Sequence, residues 1–172
     1  DDRGNIITPL DESAVQELAL KLSEMPIESI AICFLHAYVN DVHERMADKI
    51  FKKYLPNVFI SRSSEVAPEF REYIRATTTV INAGVRPVVA GYLQQIENQL
   101  NKQGLKSELL LMQSSGGVYP FEAAKDKPVF MVESGPAAGV MAARYLGNRM
   151  SCDNLISFDM GGTTAKAGMI EN

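Results

Sequence analysis

LISFDMGGTTAKAGMI, residues 155–170, has the pattern of an apolar strand, a polar turn and a second apolar strand. The turn is centred on Gly161 and Gly162, which let the backbone reverse sharply and leave its N–H groups accessible. Such N–H groups, together with the hydroxyls of Thr163 and Thr164, can bind an anion such as phosphate. The stretch therefore has the chemistry of half a nucleotide site, although an ordinary β-hairpin can carry the same glycine pair.

The segment before this hairpin predicts a helix of small residues. Ser134 can cap the helix, and Pro136 suits its first turn. A close approach of another backbone is allowed by its small residues, which are Gly135, Ala138, Gly139, Ala142 and Ala143. A tightly packed core helix has a similar composition. The combination of this helix with a following Asp-x-Gly-Gly-Thr hairpin is more specific than either part.

The combination is similar to the hinge helix and second phosphate loop of the actin, Hsp70 and sugar-kinase ATPase superfamily. Over essentially its whole length the chain resembles the hydantoinase A / 5-oxoprolinase family, which includes acetone carboxylase-type subunits. The resemblance rests on residues 64–83, 110–118, 134–139 and 159–164. The family's first phosphate loop has no counterpart before Asp159. We therefore expect a middle piece of a longer polypeptide that holds only part of an ATP site.

The predicted fold class is α/β, because buried strands alternate with amphipathic helices. The resemblance implies a partial actin/Hsp70-like ATPase fold, with a mixed sheet flanked by helices and truncated before the second lobe is complete. It assigns residues 1–104 to the end of the N-terminal hydantoinase/oxoprolinase region, a helix-rich α/β region. Residues 105–172 are assigned to the start of the hydantoinase A ATPase region, with the hinge helix and second phosphate loop.

Local signals predict the individual elements. A first helix is capped by Thr8 and ends before Pro26, and Asn40 can cap the next helix. A long helical pattern begins after Pro68 and is interrupted at 83–87, because Pro87 disfavours helix at the preceding residue. Strands are predicted at 30–35, 58–61, 109–112 and 129–132.

The resemblance also implies roles for residues in the hairpin and the small-residue helix. Asp159 is the implied catalytic residue and the implied metal ligand, engaging Mg²⁺ or its waters. Lys166 departs from the family pattern, in which many relatives have an aspartate in this stretch. It is either a point charge on phosphate or an exposed strand residue opposite a carboxylate. The implied nucleotide- and phosphate-binding residues are Gly161, Gly162, Thr163, Thr164, Lys166, Gly135, Pro136, Ala137 and Gly139.

A second polar turn follows the strand predicted at 109–112. Ligands collect at the carboxyl ends of strands in open α/β sheets, so this turn is a candidate wall of the site, with a plain solvent turn as the alternative. The candidate wall or substrate residues are Gln113, Ser114, Ser115, Gly116, Gly117, Glu133 and Arg71. The charged residues at 65–75 otherwise suit a solvated helix face.

Composition excludes several classes of protein. The chain is 46% hydrophobic and 22% charged, with a net charge of −4 and no basic block, which argues against a nucleic-acid partner. No apolar run approaches the roughly 20 residues that span a bilayer, so no membrane partner is expected. Cys33 and Cys152 are isolated, which favours free thiols and the cytoplasm.

The function that the resemblance implies is ATP-dependent hydrolysis of a cyclic amide, such as 5-oxoproline or a hydantoin, including N-methylhydantoinase chemistry. ATP, with magnesium, would phosphorylate the amide carbonyl. The expected partners are the rest of the chain and a hydantoinase B-type subunit or domain, and the piece alone is expected to be inactive. The alternatives are a subunit of an ATP-dependent ketone carboxylase and a non-catalytic interaction lobe.

Overall fold

The computed structural model describes residues 1–171. Its fold class is α/β, as predicted: helices alternate with short strands along the chain. Over the described residues the strands form three two-stranded sheets, one parallel and two antiparallel. Two compact units are formed, residues 1–96 with 125–129, and residues 97–124 with 130 onward. The division at residue 104 concerns family regions rather than packing, and it stays a prediction.

The first unit is built on a parallel strand pair joined by a helix. Strand β1 (Ser29–Ile32) pairs with β2 (Phe59–Arg62), and helix α2 (Val42–Tyr54) connects them. Parallel neighbours need such a crossover, and α2 supplies it. Helix α1 (Glu12–Ser23) packs against α2. The core between these elements consists of Ala19, Ile32, Ala47, Ile50, Phe51 and Leu55.

The starts of the first two helices differ slightly from prediction. Asp11, not Thr8, caps α1: its carboxylate accepts a hydrogen bond from the Ala14 N–H at 3.0 Å. A carboxylate at this position satisfies one of the free N–H groups of the first turn, so it is the better cap. The N-cap of α2 is Asp41, one position after the predicted Asn40, although the Asn40 side-chain oxygen accepts a hydrogen bond from the Val42 N–H at 3.1 Å.

Helix α4 (Glu72–Lys102) is continuous through Pro87, so the predicted interruption at 83–87 is wrong. A proline removes one helical hydrogen bond and costs about 3 kcal/mol in a helix interior. Tertiary bonds hold the preceding residue in place. The Arg86 guanidinium donates to the carbonyl oxygens of Ile60 at 2.6 Å and Lys125 at 3.2 Å, and it pairs with Asp126.

The first half of α4 departs from the usual amphipathic arrangement. Arg75, Thr79 and Asn82 have no exposed surface, whereas the buried residues that follow are the apolar Ala83, Ala90 and Leu93. The prediction of a solvated charged face at 65–75 is therefore wrong for Arg75, because the groups that its guanidinium binds lie inside the first unit. Large apolar side chains of α4 are exposed, namely Tyr73, Ile74, Val80, Ile81, Val88 and Tyr92.

A hydrogen-bonded chain links the buried charges of the first unit. Fully buried Glu44 accepts from the Ser63 hydroxyl at 2.5 Å, and the Ser63 oxygen in turn accepts from Arg75 Nε at 3.1 Å. Arg75 also donates to the Phe34 carbonyl at 2.8 Å, and Glu44 accepts from the Phe34 N–H at 3.0 Å. Short helix α3 (Ser63–Val66) begins at the bridging serine. Each buried charge thus has several partners, as burial requires.

The second unit begins with an antiparallel strand pair. Strand β3 (Leu110–Met112) pairs with β4 (Val118–Pro120), and helix α5 (Phe121–Asp126) follows. The strand predicted at 129–132 is wrong, since Pro128–Met131 form a short 3₁₀ helix. The fixed φ of proline suits that helix, and the Phe130 carbonyl accepts from the Ser114 N–H at 2.8 Å rather than from a strand.

The rest of the second unit is a helix followed by a hairpin. Helix α6 (Ser134–Met150) follows Glu133, which has a left-handed φ of 64°. Strand β5 (Leu155–Met160) then pairs antiparallel with β6 (Ala165–Ile170), so the predicted hairpin is confirmed. The predicted cap, Ser134, is instead the first helical residue.

Gly168 in β6 is required by the packing of the hairpin on α6. A Cβ there would lie 2.5 Å from Val140 Cγ2 and 2.8 Å from Ser157 Oγ. We expect Gly168→Ala to lower the free energy of unfolding by about 1–3 kcal/mol, because the neighbours must shift. Denaturant titration measures the change. The control is Gly91→Ala, where no atom lies within 4 Å of the added Cβ, and we expect it to be stabilising by about 0.5–1 kcal/mol. Equal stability of the two variants would contradict this account.

Two global features of the described chain bear on its environment. Within residues 1–171, no helix combines the length and apolar character that a membrane crossing needs. Cys33 and Cys152 are both exposed free cysteines, as the sequence predicts.

Candidate functional site

A cavity of about 180 Å³ lies within the second unit, between the first turns of α6 and the β5–β6 hairpin. It is smaller than the roughly 300–1,000 Å³ of pockets that enclose a whole drug-sized ligand. The cavity therefore suits one end of a ligand as large as a nucleotide. The residues that line it are Pro136, Ala137, Gly139, Val140, Ser157, Phe158, Asp159, Lys166, Ala167 and Gly168.

The two charged residues of the lining are Asp159 and Lys166, which lie directly opposite each other in the hairpin register. Residues paired across an antiparallel ladder point to the same face of the sheet. Gly168, on the same face as Lys166, packs against Val140 of α6. Asp159 and Lys166 therefore lie on the face that packs against α6. An acid and a base thus share one small cavity.

The turn between the two strands is open to solvent. Residues 161–164 are all exposed, and the Gly161 N–H donates to the Thr164 carbonyl at 2.9 Å. A Cβ on Gly162 would meet no atom within 4 Å. The hydroxyls of Thr163 and Thr164 and the remaining N–H groups are thus available to an anion beside Asp159.

The predicted phosphate-binding residues of α6 are only partly brought to the cavity. Pro136, Ala137 and Gly139 line it, whereas Gly135 does not. No atom lies within 4 Å of a Cβ built on Gly135 or Gly139. The two glycines therefore leave open space at the start of the helix rather than fill a close contact.

The turn at 113–117 connects β3 to β4 and packs against α6, but it does not line the cavity. Gly116 has a φ of +86°, and a Cβ there would lie 3.0 Å from Met141 of α6. The Gln113 N–H donates to the Gly117 carbonyl at 2.7 Å, and the Ser115 hydroxyl to Gln113 Oε1 at 3.2 Å. The turn thus lies beside the helix that carries the site.

The phenol that follows this turn cannot act as a base near neutral pH. Burial raises the pKa of Tyr119 in β4 to about 12, because the phenolate would be poorly solvated. Tyr119 therefore stays protonated far above physiological pH.

The last two candidates, Glu133 and Arg71, have different positions. The Glu133 carboxylate forms an ion pair with the Lys166 ammonium. Arg71 is exposed, has a φ of 83° and belongs to the first unit, before α4. Glu133 therefore contacts a residue that lines the cavity, whereas Arg71 is not among the lining residues.

Sequence reasoning missed some of the lining. Ser157 and Gly168 face each other in the hairpin, and the Ser157 hydroxyl donates to the Gly168 carbonyl at 3.2 Å. The period of two along β5 was the available signal, because it places Ser157 on the same face as Asp159. Val140 lies one turn after Pro136 on α6, and the glycine pattern of that helix does not point to it.

The donor set fits magnesium only as part of a shared site. Among residues 1–171, no group of three or more His, Cys, Asp or Glu side chains is placed to hold a metal ion. Mg²⁺ keeps several waters and commonly takes one or two carboxylates together with substrate phosphates. Asp159 can supply one such carboxylate.

Comparison with known proteins matches both parts of the chain to one family. Residues 75–172 match the family model described as hydantoinase/oxoprolinase, and residues 1–55 match the model of the hydantoinase/oxoprolinase N-terminal region.

Curated relatives share this similarity over nearly the whole chain. Caprolactamase subunit alpha of Pseudomonas jessenii is 34% identical over 94% of the chain, which covers 23% of that protein. The 5-oxoprolinase of Saccharomyces cerevisiae is 35% identical over 92% of the chain, which covers 12% of that protein. The chain thus spans about a quarter or less of the length of these relatives.

Solved structures share the fold. The nucleotide-free structure of acetone carboxylase, from work on ATP-dependent acetone carboxylation, superposes with a TM-score of 0.88 at 27% identity. The superposition covers 99% of the present chain and 24% of the acetone carboxylase chain. The crystal structure of the ATP-dependent caprolactamase from Pseudomonas jessenii superposes with a TM-score of 0.87 at 32% identity. That superposition covers 97% of the present chain and 24% of the caprolactamase chain.

Proposed function

The chain belongs to the hydantoinase/oxoprolinase family, and from that premise we propose that it is part of an ATP-dependent hydrolase of cyclic amides. The observation that carries the proposal is the cavity in which Asp159 and Lys166 lie together, beside the open glycine turn and the start of α6. The names of two relatives, caprolactamase and 5-oxoprolinase, support a lactam as the substrate class.

Each residue group has a role in this proposal. Asp159 holds Mg²⁺, directly or through water. Thr163 and Thr164 donate hydroxyl hydrogen bonds to phosphate oxygens, and the Gly162 N–H donates as well; the Gly161 N–H is already bonded to the Thr164 carbonyl, so this glycine keeps the turn open instead. Such preorganised donors stabilise charge that develops during phosphoryl transfer. ATP supplies the phosphoryl group that turns a resonance-stabilised amide carbonyl into a centre that water can attack.

The size of the cavity limits what this chain provides. About 180 Å³ accommodates a phosphate group and its ion, but not a whole nucleotide. We infer that other parts of a longer polypeptide complete the ATP and lactam sites, and that residues 1–172 alone do not turn over substrate. Because the related caprolactamase chain is a subunit alpha, we propose a hydantoinase B-type subunit or domain as a further partner.

A second candidate function is supported by the acetone carboxylase structure. Its TM-score of 0.88 is as high as that of caprolactamase, and acetone carboxylation by that enzyme is also ATP-dependent. On that reading, the same Asp159 site would serve activation of a ketone and bicarbonate. The proposed phosphate contacts are common to both candidates, so only the substrate separates them.

Substrate-stimulated ATP hydrolysis by the full-length polypeptide with its neighbouring subunit tests the proposal. We expect phosphate release to rise with 5-oxoproline, a larger lactam or a hydantoin, together with formation of the ring-opened amino acid. Stimulation only by a ketone with bicarbonate would establish the carboxylase instead. Absence of ATP turnover with every substrate would refute both candidates.

A further inference from the structure

The contact between Glu133 and Lys166 joins the two sides of the candidate site. The residues are 33 positions apart in sequence, and their side chains form an ion pair. Glu133 immediately precedes α6, whereas Lys166 lies on β6 opposite Asp159. The ion pair therefore connects the start of the helix to the charged edge of the cavity.

The exposure of the pair argues against a mainly structural role. The Lys166 side chain is 39% exposed and that of Glu133 is 62% exposed. Ion pairs this exposed contribute little to folding stability. Glu133 also holds a left-handed backbone conformation that residues other than glycine seldom adopt. Its position is better explained by what it does to Lys166.

The charges around the cavity show what that effect is. Lys166 is the one cation among the residues that line the cavity, and Asp159 is the one anion. With Glu133, the group holds two carboxylates and one ammonium, so its net charge is negative. An ammonium already paired with a carboxylate attracts phosphate weakly, and an adjacent free carboxylate repels it.

We propose that Glu133 and phosphate compete for Lys166. Without nucleotide, the Lys166 ammonium is paired with Glu133; when a nucleotide enters, the ammonium exchanges this carboxylate for a phosphate oxygen. This inference rests on the proposed function, namely that the cavity receives the phosphate end of ATP. Glu133 is thus a positioning residue that sets nucleotide affinity. It pairs with Lys166 in the nucleotide-free state and gives way to phosphate in the bound state.

Binding of a non-hydrolysable ATP analogue, with Mg²⁺, to the full-length polypeptide tests the exchange by calorimetry. We expect Glu133→Gln to tighten binding about three- to fivefold, because it removes the competing partner. In that background Lys166→Gln should weaken binding about tenfold, the value of a charge-assisted bond to phosphate. In the wild-type background the same lysine substitution should weaken binding only about two- to threefold, since Glu133 already occupies the lysine.

The control is Asp153→Asn, an exposed carboxylate in the loop between α6 and β5 that changes the net charge equally. We expect its affinity to match that of the wild type. If Glu133→Gln does not tighten binding, or if Lys166→Gln has the same effect in both backgrounds, the exchange is refuted while the proposed ATP site stands. If the wild type binds no analogue, the ATP site itself is refuted.

Thermal unfolding of each variant checks that the fold is retained. Glu133→Asp, which keeps the charge, should leave affinity nearer to that of the wild type.

Discussion

Asp159→Asn in the full-length polypeptide is expected to lower the kcat of substrate-dependent ATP hydrolysis by about 100- to 1,000-fold, the usual effect of removing one preorganised electrostatic contact from a transfer site. The substitution keeps the size and shape of the side chain and removes its charge. The Asp159 side chain is exposed and contributes little to packing, so we expect the melting temperature to be unchanged. Steady-state phosphate release under saturating Mg²⁺ and ATP measures the effect.

Asp153→Asn provides the matched comparison for this experiment, since the two aspartates lie in the same unit and are both exposed. We expect it to keep the kcat of the wild type. Wild-type turnover by Asp159→Asn would contradict the proposed metal and phosphate role, and it would favour a lobe that retains the fold without the chemistry.

Arg75→Met is expected to lower the free energy of unfolding by about 3–5 kcal/mol, the range for removing one partner from a buried charged pair. The loss leaves the buried Glu44 carboxylate without the cation that is linked to it through Ser63, and it removes one hydrogen-bond donor from the Phe34 carbonyl and one from the Ser63 oxygen. Arg75 also packs over the Tyr38 ring at 5.4 Å, a contact that methionine keeps only in part. Denaturant titration monitored by circular dichroism measures the change.

Arg45→Met is the control for Arg75. Arg45 pairs with Asp41 at 2.6 Å, but its side chain is 60% exposed, so we expect a change below about 1 kcal/mol. Adding Glu44→Gln to Arg75→Met should recover part of the loss, because the unpaired buried charge is removed. Similar losses in the two arginine variants would show that the buried chain through Ser63 is not important for stability.

Much of the hairpin and the parallel strand pair could be predicted because their signals are local. Gly161 and Gly162 specify a turn, and the period of two then places Asp159 and Lys166 opposite each other. The continuity of α4 could not be predicted in the same way. Pro87 carries a strong local signal, but Arg86 is held by groups 26 and 39 residues away, and those bonds outweigh it.

The same limit applies to the charged residues. A run that contains Arg71, Glu72 and Arg75 suits a solvated helix face, and nothing in the sequence shows that Arg75 meets Phe34, 41 positions earlier. The Glu133–Lys166 pair likewise depends on how α6 lies on the hairpin. Residue types and their spacing thus predicted the hairpin that carries the candidate site, whereas the electrostatic partners of the candidate residues required the tertiary structure.

The buried polar residues of α4 have a consequence for how this family can diverge. On an ordinary amphipathic helix, replacing a polar residue by an apolar one on the buried face usually does not harm stability. Substitutions on the exposed face usually have little effect on stability. Here an apolar replacement at Asn82 would orphan the Val129 N–H and the Asp126 carbonyl that its amide now satisfies. Homologous helices should therefore keep a polar residue at the position of Asn82, and hydropathy alone would assign this position to the wrong face.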